Sequence, residues 1–422
     1  MDYIIRENKK LKESYYRIKH SSGLTLLVFP KKGYNSVYAS IGTKFGSIYS
    51  SFMSDGRKIT VPDGTAHYLE HKLFESEDGD AFSKYAKTGA SANAYTSFDT
   101  TCYLFSCTDH FRQSLEILID LIQSPYFTKE TVAKEQGIIS QEIKMYDDSP
   151  DWRVMMNLLT GMYKEHPINK DIAGTVETIA EITPEILYDC YNSYYNLNNM
   201  VMAVSGGVDP YEVLEIIDKK IKPDKPVETS IILPEEPYGV ARGYTQQILP
   251  VTVPLFELGF KEACGRESAS GKELICTSIL LDMFIGESSS LYRELTDKKL
   301  INSGFGSEYM EGLGYRSVIL SGESRDPSEV SRIIREAAAE LHHTGIDEQA
   351  LERSKRAVYG RMVSTFDSKQ AIAAELINGE FYGREIFEPV DILEKLTADD
   401  INSRLRDQLD PENTCLSVVK GE

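Results

Sequence analysis

The order of elements runs twice through this chain, and that constrains the fold more than any single motif. Near residues 220–240, "KIKPDKPVETSIILPEEPYGV" holds four prolines and little periodicity, which marks a linker. Before it come an apolar strand pair, "GLTLLVFP" and "SVYASIGTKFGS", and then the helix around "GTAHYLEHKLFE". The alternating two-strand run "GASANAYTSFDTTCYLFSC" and the helix "FRQSLEILIDLIQSP" follow. After the linker the series recurs as "TQQILPVTVPLFELGFK", "KELICTSILLDMFIGE", "INSGFGSEYMEGLGYRSVILSG" and "PSEVSRIIREAAAELHHTG". Later, "TVAKEQGIISQEIKMYDD" matches "ALERSKRAVYGRMVSTFD", and each half ends on a capped helix and a strand. The expected architecture is α+β: two duplicated halves, each an antiparallel-rich sheet covered by helices on one face. The boundaries fall at 1–225, a linker at 226–240, and 241–422.

A chain of 422 residues, 41% apolar and 26% charged, has ample material for two cores. A formal net charge of −19 argues against nucleic acid or an anionic membrane as partner. It fits a solvated surface or an inner wall that favours basic ligands. The beginning, "MDYIIRENKKLKES", has no signal-peptide core, and no apolar run reaches the ~20 residues of a membrane span. Six cysteines (Cys102, Cys107, Cys190, Cys264, Cys276 and Cys415) form no CxxC pair, so reduced buried thiols and a cytoplasmic compartment are expected.

Two of the seven histidines fall four apart in "HYLEH", His67 and His71, with Glu70 between them. That spacing puts both imidazoles on one helical face, within reach of a single ion. Glu70 then stands beside the ion, where a general base for a water nucleophile belongs. The pattern inverts the H-E-x-x-H order of zinc proteases. The alternative is a plain amphipathic helix, but the flanking "AHYLEHKLF" is apolar. The duplication supplies an internal control: aligning Phe74 with Phe284 sets His67, Glu70 and His71 opposite Thr277, Leu280 and Leu281. The fold accepts an ordinary apolar helix there, so structure alone does not require the ionisable set.

A catalytic zinc takes three protein ligands and keeps one open position. Glu135 and Glu142 lie seven apart, two turns along one face of the helix in "TVAKEQGIISQEIKMYDD", opposite Ser354 and Arg361 of the second copy. Glu142, in the more apolar stretch, is the expected third ligand, and Glu135 would orient a histidine from behind.

His67-x-x-Glu70-His71 followed by Glu135-x6-Glu142 resembles the pitrilysin/insulinase family of zinc peptidases, the inverzincins. The duplicated halves look like its bacterial branch, similar to mitochondrial processing peptidase subunits. The resemblance spans essentially the whole chain. It implies one zinc per chain held by His67, His71 and Glu142, with Glu70 as base and Glu135 in support. It also implies that "SANAYTS" presents its edge around Asn93 and Ala94, so that a peptide adds as a β-strand. The halves would face each other as a clamshell around a closed chamber that admits peptides and unfolded segments.

One departure stands out. Active members often carry an arginine and, seven residues later, a tyrosine in the second half, which help hold the scissile peptide and stabilise charge on its carbonyl. Here Thr296 and Ser303 fall at those positions; Arg293, Tyr309 or Arg316 could serve only in a shifted register. The chain therefore resembles the zinc-bearing member of a heterodimer whose partner brings the Arg/Tyr pair, with a homodimer as the alternative. The expected function is that of a metalloendopeptidase cleaving peptides, leader segments of small modified peptides among the candidates. A non-catalytic structural or binding subunit and a zinc-stabilised scaffold are the competing readings.

Overall fold

The computed structural model describes residues 3–263, 265 and 267–422, so Cys264 lies outside the described residues. The other five cysteines are buried free thiols. The chain divides into two compact units, each assembled from several segments.

The first unit comprises residues 1–143, 171–232 and 363–387. Its seven-stranded sheet runs in the order Tyr3–Asn8, Glu13–Lys19, Thr25–Pro30, Met200–Gly206, Val37–Thr43, Thr101–Cys107 and Ser91–Thr96. All neighbours are antiparallel except Thr25–Pro30 and Met200–Gly206. The two strands expected to pair, in "GLTLLVFP" and "SVYASIGTKFGS", are therefore parted by a third. The inserted strand, "MVMAVSG", is buried at every position, which suits the centre of a sheet covered on both faces.

One face carries helices from the same half, among them Thr65–Leu73, Phe111–Gln123 and Pro210–Lys220. The other face is closed by a helix from far along the sequence, Lys369–Tyr382. Its Ile372, Ala373, Leu376 and Ile377 pack into a core with Leu27, Phe29, Val201, Ala203 and Phe387. Arg17 grips Glu380 through two hydrogen bonds of 2.9 and 2.6 Å, and Ser205 donates to the carbonyl of Lys369 at 2.6 Å.

The second unit, residues 144–170, 233–362 and 388–422, repeats the plan. Its sheet runs Tyr244–Ile248, Thr414–Lys420, Leu255–Lys261, Tyr315–Glu323 and Gly306–Gly312, again with one parallel pair, Tyr244–Ile248 beside Thr414–Lys420. On one face, Phe256, Leu258, Val318 and Leu320 meet helices Gly271–Ile285 and Pro327–Thr344. The other face carries helix Pro150–Met162, which comes from the first half of the sequence. The helix comes so close that a Cβ on Gly259 would stand 2.3 Å from Met162 Sδ.

The compact units are thus not the contiguous stretches 1–225 and 241–422, because each half of the sequence gives a helix to the other half's sheet. The linker is also docked. Thr229–Ile231 pairs antiparallel with Ser51–Ser54 in the first unit. In the second, Glu236 accepts from Lys261 at 2.6 Å, both side chains almost wholly buried. Lys261 Nζ also donates to the carbonyls of Met162, Pro237 and Gly239, so the buried ammonium has hydrogen bonds as well as a counter-charge.

Candidate metal centre

Gly64 starts the motif helix Thr65–Leu73 with φ of 90°. A Cβ there would meet the carbonyl oxygen of Ala173 at 2.4 Å, so only glycine fits the turn. Ala66, Tyr68, Leu69 and Leu73 are buried, and so are His67 and Glu70. The apolar flanks of "HYLEH" thus seat the helix in the core, as the sequence implies. The second helix, Lys129–Asp147, buries Val132, Ile139 and Ile143 in one stripe. The Tyr68 hydroxyl donates to the Val132 carbonyl and ties the two helices together.

Between these helices, ligand atoms of His67, His71 and Glu142 all lie within 4.8 Å of one another. Glu142 Oε2 stands 3.7 Å from His67 Nε2 and 3.3 Å from His71 Nε2. Tetrahedral zinc with bonds of 2.0–2.1 Å holds neighbouring donors about 3.4 Å apart, so the set fits that ion. His71 Nδ1 faces Glu135 Oε1 at 3.2 Å. Nδ1 of His67 is buried without a hydrogen-bond partner, so no bond from behind orients that ring. Of the two histidines, Glu135 supports His71.

The charges divide unevenly. Burial, and then the neighbouring His71, push the pKa of His67 down, so this ring is neutral. Burial also works against charge on His71, but the hydrogen bonds to Glu135 and Glu142 outweigh it and raise its pKa to about 10. The bond to His71 holds Glu135 below the usual carboxylate range. Burial pushes Glu70 up, opposed by a hydrogen bond from Thr96.

Thr96, which no sequence motif singled out, donates its hydroxyl to Glu70 Oε2 at 2.6 Å. It ends the strand Ser91–Thr96, which pairs on one side with Thr101–Cys107 and is last in the sheet. Asn93 and Ala94 therefore sit on an open strand edge, where Asn93 Oδ1 accepts from the N–H of Ala94 at 2.9 Å. Beside them a cavity of about 630 Å³ is lined by Glu70, His71, Phe74, Phe82, Asn93 and Ala94, among others. Glu70, His71, Glu135, Asn93 and Ala94 thus line one cavity, while His67 and Glu142 meet His71 in the metal triad.

The second unit lacks the ionisable set. Thr277, opposite His67, is buried against Arg404 and Gln408, and Arg361, opposite Glu142, pairs with Asp282 at 2.8 Å. Thr296 and Ser303 are exposed. The shifted-register candidates are engaged within their own unit. Arg293 donates to Ser289 O, Arg316 to Glu273, and Tyr309 lies in a network with Arg404 and Glu262.

Residues 60–176 match the family model described as Insulinase (Peptidase family M16), and residues 181–358 match the Peptidase M16 inactive domain. The chain is 38% identical to the uncharacterized zinc protease YmfH of Bacillus subtilis, over 98% of this chain and 99% of that one. It is 27% identical to a probable mitochondrial-processing peptidase subunit beta of Arabidopsis thaliana, over 57% of this chain and 47% of that one. The crystal structure described as that of a putative M16-like peptidase from Alicyclobacillus acidocaldarius superposes with a TM-score of 0.93 at 33% identity, covering 100% of this chain and 99% of that one. With the site geometry and these matches agreeing, the chain belongs to the insulinase (M16) family of peptidases.

Proposed function

We propose that this chain is a zinc-dependent endopeptidase for peptides and unfolded segments. The observation that carries the proposal is the convergence of His67, His71 and Glu142 with Glu70 beside them. His67, His71 and Glu142 would hold one zinc, which supplies a Lewis acid to polarise the scissile carbonyl and the attacking water. Glu70 takes the proton of that water and passes it to the leaving amine. A raised pKa suits both halves of that task. Glu135 fixes the ring of His71. The open edge at Asn93 and Ala94 offers main-chain hydrogen bonds to an extended peptide, which gives grip with little sequence demand.

The proposal includes a closed chamber and a partner chain supplying an arginine and a tyrosine. Exposed Thr296 and Ser303 support the need for a partner, as do the engaged Arg293, Tyr309 and Arg316. They also favour a second reading, a binding or structural subunit without turnover. We further propose a cytoplasmic site of action, supported by the buried free thiols.

The test is cleavage of a mixed set of quenched peptides by the purified chain, with bound zinc quantified and Glu70→Gln as control. Turnover by the wild type alone, abolished in a zinc-loaded Gln variant, would establish the peptidase and remove the need for a partner. Zinc without turnover in either protein would leave the second subunit to be found. Absence of zinc from the purified and zinc-incubated protein would overturn the proposal.

A further inference from the structure

A glutamate carboxylate turns about a broad terminal torsion, so burial alone does not hold it in one orientation. Glu70 is buried, and the hydrogen bond to it comes from Thr96 at 2.6 Å, a short, charge-assisted contact. The direction of that bond is fixed from behind. Thr101 stands 3.4 Å from Thr96, oxygen to oxygen, and spends its own hydrogen on the Phe45 carbonyl at 2.9 Å. A carbonyl only accepts, so Thr101 has no proton to offer Thr96. The Thr96 hydrogen therefore goes to the nearer acceptor, Glu70 Oε2. Thr96 also belongs to the edge strand, two residues beyond Ala94 and on the same face as it.

We propose that Thr96 is a positioning residue for Glu70: its hydroxyl ties down Oε2, sets the plane of the carboxylate, and leaves Oε1 to take the proton of the attacking water. The inference rests on the peptidase reading above. Because one strand carries both Thr96 and the edge at Asn93 and Ala94, a peptide laid along that edge is registered to the base through the same piece of backbone. A threonine suits the task better than a longer polar side chain, since the strand backbone fixes its oxygen through a single rotatable bond.

The test compares Thr96→Val, which keeps the shape and removes the donor, with Thr96→Ser, which keeps the donor. In Thr96→Val, kcat should fall about 10- to 100-fold, in line with the cost of small misplacements at a reacting centre. KM should move by less than about threefold, and bound zinc should equal that of the wild type, because neither the edge nor the metal ligands change. Thr96→Ser should recover most of kcat. A Val variant within twofold of wild-type kcat, or a Ser variant no better than Val, would overturn the inference. Crystal structures of the zinc-loaded wild type and Thr96→Val read the positioning without turnover. The carboxylate of Glu70 should rotate or split between orientations in the variant; an unchanged carboxylate would overturn the inference even if neither protein cuts peptide. An inactive zinc-loaded wild type with a well-held Glu70 would point to the missing partner chain or to the non-catalytic reading, and would leave the tie between Thr96 and Glu70 standing.

Discussion

His71 Nδ1 lies 3.2 Å from Glu135 Oε1, and that contact fixes which nitrogen of the ring is free for a metal. An ionised carboxylate only accepts, so Nδ1 keeps its hydrogen for Glu135, and Nε2, 3.3 Å from Glu142, is the nitrogen that gives up its proton to a metal. Glu135→Gln keeps the size and removes the charge. Zinc affinity, read by competition with a calibrated chelator, should fall about 10- to 100-fold. An unchanged Kd would show that Glu135 does not support the metal site.

The same carboxylates keep a proton on His71 when no metal is bound. Its pKa is raised to about 10, so between pH 6 and 8 the metal-free ring is charged and zinc must expel one proton to bind. His67, held neutral by burial, adds no proton to that exchange. The apparent zinc affinity should therefore rise about tenfold per pH unit across that range. Titrations at pH 6, 7 and 8 measure the slope. A flat profile would mean that His71 is already neutral.

What could be read from the sequence divides along physical lines. His67, Glu70 and His71 sit within one helical turn, so their spacing alone put them on one face. Glu142 and Glu135 emerged because the second copy carries Arg361 and Ser354 in their place. Thr96 left no such trace: a threonine in a strand is ordinary, and its tie to Glu70 exists only once helix and sheet have packed. Strand order is hidden for a similar reason. "GLTLLVFP" and "SVYASIGTKFGS" are neighbours in sequence, but the strand between them arrives about 160 residues later. The helix exchange was equally hidden, since Pro150–Met162 and Lys369–Tyr382 are amphipathic or apolar segments that would suit either sheet.

That exchange can be tested in solution. Leu376 is 3% exposed and packs with Leu27 and Phe29 although it follows them by some 350 residues. Leu376→Ala should cost about 2–5 kcal/mol through lost burial and a residual cavity. The loss should fall on the first unit. Hydrogen exchange should quicken in Thr25–Pro30 and Met200–Gly206, and stay unchanged in Leu255–Lys261 of the second unit. Faster exchange in Leu255–Lys261 instead would mean that the helix folds with its own half of the sequence.

Glu257 gives the second unit a pH dependence of its own. It lines a cavity of about 420 Å³ with Asp151 and Glu323, and its Oε2 is buried with no hydrogen-bond partner. Burial first, then Glu308 and Asp151, raise its pKa from 4.5 to about 8. Because the folded value lies above the unfolded one, the folded chain keeps a proton that the unfolded chain releases between those two pH values. The contribution to stability is whole below about pH 4.5 and drains away as pH climbs to 8, at up to about 1.4 kcal/mol per pH unit. Glu257→Gln supplies a permanently neutral side chain of the same size, so it should lift the denaturation midpoint of the second unit at pH 8 and leave it nearly unchanged at pH 4.5. Equal midpoints for the two proteins at pH 8 would mean that the carboxylate finds a cation or water that offsets its burial.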